Sequence, residues 1–279
     1  MVYSYTRDDL KDIFLSALEM FNDCLDSDIN KDNLRIGFFV PENGIKVYEK
    51  FCSIYFPKYL NEPYRNKGYF DEIAAQAFVS ESCYGVLIRE DIDFTLGEVL
   101  QTFLHEISHL YCTQNEVPGG HFFDKYCMGS GIEDGMINAG YAIWREAIAD
   151  IMADSILSEN ATLTLPMVKD EIHHLNQEIS IGNPSSKKAM SLILTYIMIS
   201  EEVATTTYWA VAEKKIRKTI KFEEPIVYGI LELFFEQLHT SPFWTITPEF
   251  ITELGQMYLE LLSMRAFMIR IKEIQDDEQ

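Results

Sequence analysis

Apolar residues recur at two periods along the first part of the chain, and the period switches several times. Leu10, Ile13, Phe14, Leu18, Phe21 and Leu25 follow the three-and-four spacing of a helix, with Asp and Lys between them. Residues 35–40 form a short apolar run that stops at Pro41, which predicts a strand. Residues 45–60 are rich in aromatics and fit either a helix ending near Pro57 or a pair of strands. The run from Tyr84 to Arg89 places Val86, Leu87 and Ile88 between polar flanks and predicts another strand.

The best-defined pattern follows. Thr95 and Glu98 form a capping-box pair, in which each side chain satisfies a backbone N–H at a helix start. Behind them Leu96, Val99, Leu100, Phe103, Leu104, Ile107, Leu110 and Tyr111 make a broad apolar stripe, which predicts a helix over residues 95–113. A second helix is predicted over 139–157, with Ile143, Ala147, Ile148 and Ile151 on one side. Between the two, six of the chain's 14 glycines fall between Gly119 and Gly140, just after Pro118, and predict a long irregular segment. Beyond Pro166 the pattern reads as helices over 167–180, 186–200, 201–218, 224–239 and 248–274. The last of these opens on Thr247-Pro248-Glu249, a cap, a proline at the first helical position and an acid facing the dipole. The expectation is an α+β protein, with mixed strands and helices in residues 1–160 and an all-helical C-terminal part in 161–279.

The predicted helix over 95–113 carries His105-Glu106-Ile107-Ser108-His109. Two imidazoles four residues apart are separated by one turn and ~6 Å of rise on one helix face, so both can reach one metal ion. The intervening glutamate then lies near the open side of that ion and can take a proton from water. With 6 His and 27 Glu in 279 residues, such a string arises by chance in roughly one chain in a hundred.

A catalytic zinc takes three protein ligands and keeps one position open. A third histidine six residues after His109 is absent, because Asn115 stands there, and Cys112 stands where that pattern has glycine. His121, in the turn after Pro118-Gly119-Gly120, is one candidate ligand. Glu146 is the stronger one. It lies in Trp144-Arg145-Glu146-Ala147-Ile148-Ala149-Asp150, where Glu146 and Asp150 share a helix face flanked by small alanines that let another helix come close. Asp150, one turn on, can accept the free ring N–H of His105 and fix its tautomer. The competing reading of these acids is a solvated stripe with Asp154 as its third member.

His105-Glu106-x-x-His109 followed by Glu146-x-x-x-Asp150 resembles the gluzincin zinc metallopeptidases, over roughly residues 83–155. A short capped helix after an edge strand is also similar to the compact cytosolic metallopeptidases associated with mobile elements. The resemblance implies a zincin-like catalytic part in residues 1–160, built from a small sheet and a zinc-binding helix. It implies Zn2+ held by His105, His109 and Glu146, Glu106 as general base, and Asp150 orienting a ligand histidine. It also implies that the strand before the zinc helix, here Tyr84–Arg89, lines the substrate cleft. Among His121, Tyr126, Tyr141 and Arg145, His121 is the first choice for the second catalytic group, a donor to the oxyanion. Two features depart from the pattern: 37 positions separate His109 from Glu146, more than in thermolysin-like enzymes, and Arg145 stands where an asparagine often precedes the ligand glutamate. The expected activity is zinc-dependent hydrolysis of a peptide or protein. The alternative is a non-catalytic, metal-stabilised interaction module, against which the presence of Glu106 counts.

Composition narrows the partners. Asp and Glu number 44 against 23 Lys and Arg, a net charge of −21, with a sequence pI near 4.6. Such a field repels phosphate backbones and anionic lipid surfaces, so no nucleic-acid and no membrane partner is expected. No apolar run approaches the ~18–20 residues that span a bilayer. The N-terminal residues carry Arg7, Asp8 and Asp9 in place of the apolar core of a signal peptide. Five scattered cysteines with no CxxC spacing read as reduced thiols, and a cytoplasmic protein is expected.

Overall fold

The computed structural model describes residues 4–61, 67–129, 131–157 and 246–259. The chain divides into two units, Met1–Val117 with Met152–Ser158, and Pro118–Ile151 with Glu159–Gln279. The architecture is mixed, with a three-stranded sheet and mostly helices, in keeping with an α+β class.

The first unit runs α1 (Arg7–Leu25), β1 (Leu34–Phe39), α2 (Gly44–Tyr55), α3 (Lys67–Glu72), β2 (Ala75–Val79), β3 (Tyr84–Arg89) and α4 (Leu96–Gln114). Thr6 and Asp9 close a capping box at the start of α1, and bonds from the Thr6 hydroxyl and N–H hold the Asp9 carboxyl below its ordinary range. The aromatic stretch left open by its pattern is α2 followed by a 3-10 turn over Pro57–Asn61. Strand order is β1-β3-β2, with β1 parallel and β2 antiparallel to β3. β3 is thus the central strand, and a core packs on each of its faces, which is why Val86, Leu87 and Ile88 are all apolar and fully buried instead of alternating.

Two cores form, one on each face of the sheet. On one face α1 and α4 pack Leu10, Phe14, Phe21, Phe103 and Ile107 against Val86 and Ile88, with the Phe14 and Phe103 rings 5.2 Å apart and edge-on. On the other, Phe39, Phe51, Phe56, Phe70 and Phe78 cluster around Leu87. Gly85 makes this second core possible, since a Cβ there would lie 2.4 Å from the Phe56 ring.

The second unit holds α5 (Phe122–Tyr126), most of α6 (Ile132–Leu157) and a helix over residues 248–259, here α7. The segment expected to be irregular up to residue 140 is thus partly helical: α6 begins at Ile132 and contains Gly135 and Gly140. Glycine disfavours a helix interior, but Gly140 has a tertiary reason to be there. A Cβ on it would lie 1.9 Å from the Ile251 carbonyl oxygen, and one on Gly255 would lie 1.8 Å from that of Met136. The two helix backbones touch at this pair of glycines. Thr247 caps α7 as its sequence predicts, its Oγ1 accepting the Phe250 N–H at 3.2 Å. The helices expected over 167–239, the end of the one expected over 248–274, and His173, His174 and His239 lie outside the described residues. No helix among the described residues is long and apolar enough to cross a membrane.

Candidate metal centre

The placement of the two histidines follows from the start and the stripe of α4. Thr95 Oγ1 accepts the Glu98 N–H, and Glu98 Oε2 accepts the Thr95 N–H at 2.7 Å and its hydroxyl at 2.8 Å. These bonds hold the Glu98 carboxyl below its ordinary range. Burying Val99, Phe103, Leu104 and Ile107 against the sheet fixes the rotation of the helix. His105 and His109 then stack one turn apart, rings edge-on with centroids 4.7 Å apart, His109 buried and His105 half-buried.

Their Nε2 atoms lie 3.1 Å from each other. Two neutral imidazoles at that distance share either one proton or one cation. Bonds of ~2.05 Å to a tetrahedral zinc put two nitrogens ~3.3 Å apart, so the observed spacing suits a common ion with little adjustment. Glu146 of α6 adds the third donor, and one ligand atom from each of His105, His109 and Glu146 lies within 4.8 Å of the others. Two imidazoles and a carboxylate can hold a metal ion, and this donor set is one that zinc accepts.

Glu106 turns toward the sheet. It is 9% exposed, and its Oε2 accepts the Ala77 N–H of β2 at 2.6 Å. Arg89 N–H donates to Ala74 O, and Ser80 N–H to Cys83 O, so the residues of this parity face β3. The alternation of an antiparallel ladder turns Ala75, Ala77 and Val79 the other way, to the outer edge. Tyr84–Arg89, expected as an edge strand, is instead the central strand of the sheet. β3 is hydrogen-bonded on both sides and offers no edge, whereas β2 is an edge strand beside α4. Ala77 was not legible as a site residue. Its strand is Ala-Gln-Ala-Phe-Val, with little β-branched content, and its contribution is a backbone N–H and a side chain small enough for Glu106 to approach.

The remaining predicted residues are placed as follows. Asp150 is half-buried on α6, one turn after Glu146. Asp154, a further turn on, accepts a bond from Gln101 Nε2 of α4 at 2.9 Å, so it is tied to protein and is not a bare member of a solvated stripe. His121 lies outside the three-residue cluster. It is exposed, in the left-handed region at φ 53°, and its carbonyl accepts the Lys125 N–H as α5 starts. Tyr141 stacks on Phe122 and Trp144. All five cysteines are free thiols. Cys112 lies 3.8 Å from the Met152 sulfur, and burial pushes the Cys127 thiol up to about 11. No protein-family model, curated protein or solved structure matches this chain.

Proposed function

We propose that this chain is a zinc-dependent peptidase of gluzincin-like design, acting on a peptide or protein substrate. The reading is carried by one observation: His105, His109 and Glu146 converge in a cluster able to hold an ion, while Glu106 keeps a carboxylate on the same turn of α4 as His105. His105 and His109, with Glu146, would hold the ion through two nitrogens and a carboxylate oxygen. Bound zinc supplies Lewis acidity at the scissile carbonyl and brings the pKa of water toward ~7.

The chain's own residues supply the rest. The Ala77 N–H fixes Oε2 of Glu106, so the other oxygen takes the proton of the attacking water and passes it to the departing amine. His121, exposed after a glycine turn, is assigned to hydrogen-bond the oxyanion. Asp150 is assigned to orient a ligand histidine, a role that carries about 10–100-fold in affinity or activity.

Metal content after dialysis, for the wild type beside Glu146→Ala, tests the centre. The expected result is about one zinc per chain in the wild type and a large loss in the variant. Full retention in the variant moves the third ligand elsewhere, His121 first. A wild type that takes up no metal even when zinc is added back sinks the peptidase reading and favours a protein that only binds partners.

A further inference from the structure

β1 is the opposite edge of the sheet from β2, and part of its backbone is available. The Phe39 carbonyl accepts the Glu90 N–H at 2.9 Å on the β3 side. Alternation along the strand then turns the N–H and C=O of Leu34, Ile36 and Phe38 outward. Leu34 is already used, its N–H donating to the Lys31 carbonyl and its own carbonyl accepting Arg35 Nη1 at 3.0 Å. Among the described residues nothing pairs with the outward N–H and C=O of Ile36 and Phe38. Along this edge lies a groove of about 600 Å³, walled by α1 on one side and α2 on the other.

The groove reverses the charge balance of the chain. Acids outnumber cations 44 to 23 overall, yet among the described residues the groove is lined by Arg7, Lys11, Lys31 and Arg35 and by a single acid, Asp8. Arg7 is paired with Glu90, and Lys31 meets Glu19 at 3.6 Å. Lys11 and Arg35 have no carboxylate partner among the described residues. Arg35 lies over the Tyr55 ring at 5.9 Å and Arg7 over the Phe38 ring at 5.8 Å, so cationic heads sit against aromatic walls.

We infer that this groove binds an extended peptide segment in which acidic and apolar residues alternate, added as a fourth strand beside β1. Main-chain bonds to Ile36 and Phe38 hold the segment, as in strand addition to a sheet edge. Lys11 on the α1 wall selects its carboxylates, Arg35 adds to the positive field of the groove, and Phe51 and Tyr55 on the α2 wall receive its apolar side chains. A short acidic segment brings few charges toward a chain of net −21, whereas a nucleic acid brings a continuous row of phosphates that this field repels. A second copy paired β1 to β1 would bring the same cations of the two copies together. The inference is independent of the proposed peptidase centre, which uses other residues.

The test is fluorescence anisotropy with a labelled peptide alternating Glu and Val, titrated with the full chain both with and without added zinc. Binding is expected with Kd of about 1–100 μM. It should weaken at least about tenfold in the double variant Lys11→Glu, Arg35→Glu, and at raised salt. N-methylation of the peptide's alternate amides should weaken it about as much, and that probe leaves the protein unaltered. A peptide alternating Lys and Val should not bind. No binding up to about 1 mM overturns the inference, as does equal binding of the Lys peptide or indifference to N-methylation. A concentration-dependent dimer that competes with the peptide and is abolished by the same double variant overturns it in favour of a second copy.

Discussion

Replacing Glu106 by Gln separates the chemistry proposed for this side chain from its part in the fold. Its Oε2 accepts the Ala77 N–H at 2.6 Å. Glutamine keeps the shape and an acceptor oxygen but makes a neutral bond. A bond to a charged group contributes about 1.5–3 kcal/mol and a neutral one about 0.5–1.5, so the substitution removes about 1 kcal/mol here. Relief of a carboxylate that is only 9% exposed offsets part of that loss. The thermal midpoint should therefore fall by no more than about 2–4 °C in a chain of this size. Glu106→Ala leaves the Ala77 N–H without its acceptor, a cost of about 1–3 kcal/mol, and should melt lower. Neither variant should lose zinc. Turnover should fall about 10²–10⁴-fold in both, because neither side chain can carry the proton. The assay is mass-spectrometric counting of new termini in a pool of unstructured peptides, beside zinc content and a thermal melt. Glu106→Gln turning over at more than about a tenth of the wild-type rate refutes the general-base role. A glutamine variant that melts below the alanine variant refutes the reading of the Ala77 bond.

Four further outcomes follow from the same geometry. Gly140→Ala should destabilise by about 1–3 kcal/mol or more, because its Cβ would press on the Ile251 carbonyl, and an unchanged urea midpoint would remove the close crossing of α6 and α7. Native alkylation at pH 8 should label exposed Cys24 and spare Cys52, Cys83, Cys112 and Cys127. Because burial raises the Cys127 pKa from 9.0 to about 11, the unfolded chain loses its proton first, and stability should decline between those pH values; Cys127→Ser should flatten that decline in an alkaline urea series. At the acid end the sign is opposite: Asp9 and Glu98 are held below 3.8 and 4.5 by their capping bonds, so their contribution is present above those values and lost as pH falls below them. Thr6→Ala with Thr95→Ala should reduce the acid slope, and an unaltered slope would rule out the capping boxes as its source.

The histidine pair was legible in the sequence because both of its determinants are local. Four-residue spacing sets His105 and His109 on one face, and the Thr95–Glu98 box with the stripe behind it sets where α4 starts and how it is turned. Glu146 was a candidate for a weaker reason, since an acid flanked by alanines on a helix fits a solvated face as well as a ligand. Its approach to the histidines depends on contacts across 37 positions of chain, which no local period encodes. Asp154 shows the same limit from the other side: its bond to Gln101 is invisible in a pattern that only marks both as polar.

By itself, then, the sequence determined what short-range geometry determines: the existence of α1, β1, β3 and α4, the caps of α4 and α7, and the face shared by two imidazoles. Pairing order was beyond it, because strands choose neighbours through long-range hydrogen bonds and cores. Only the tertiary structure made β3 central and β2 an edge. It also put helix where glycines suggested loop, since Gly140 and Gly255 answer to each other's backbones and not to their own neighbours. The main-chain N–H of Ala77 on Glu106 has no side-chain signature at all. Backbone groups are identical at every residue but proline, so only the fold can say which one meets a carboxylate.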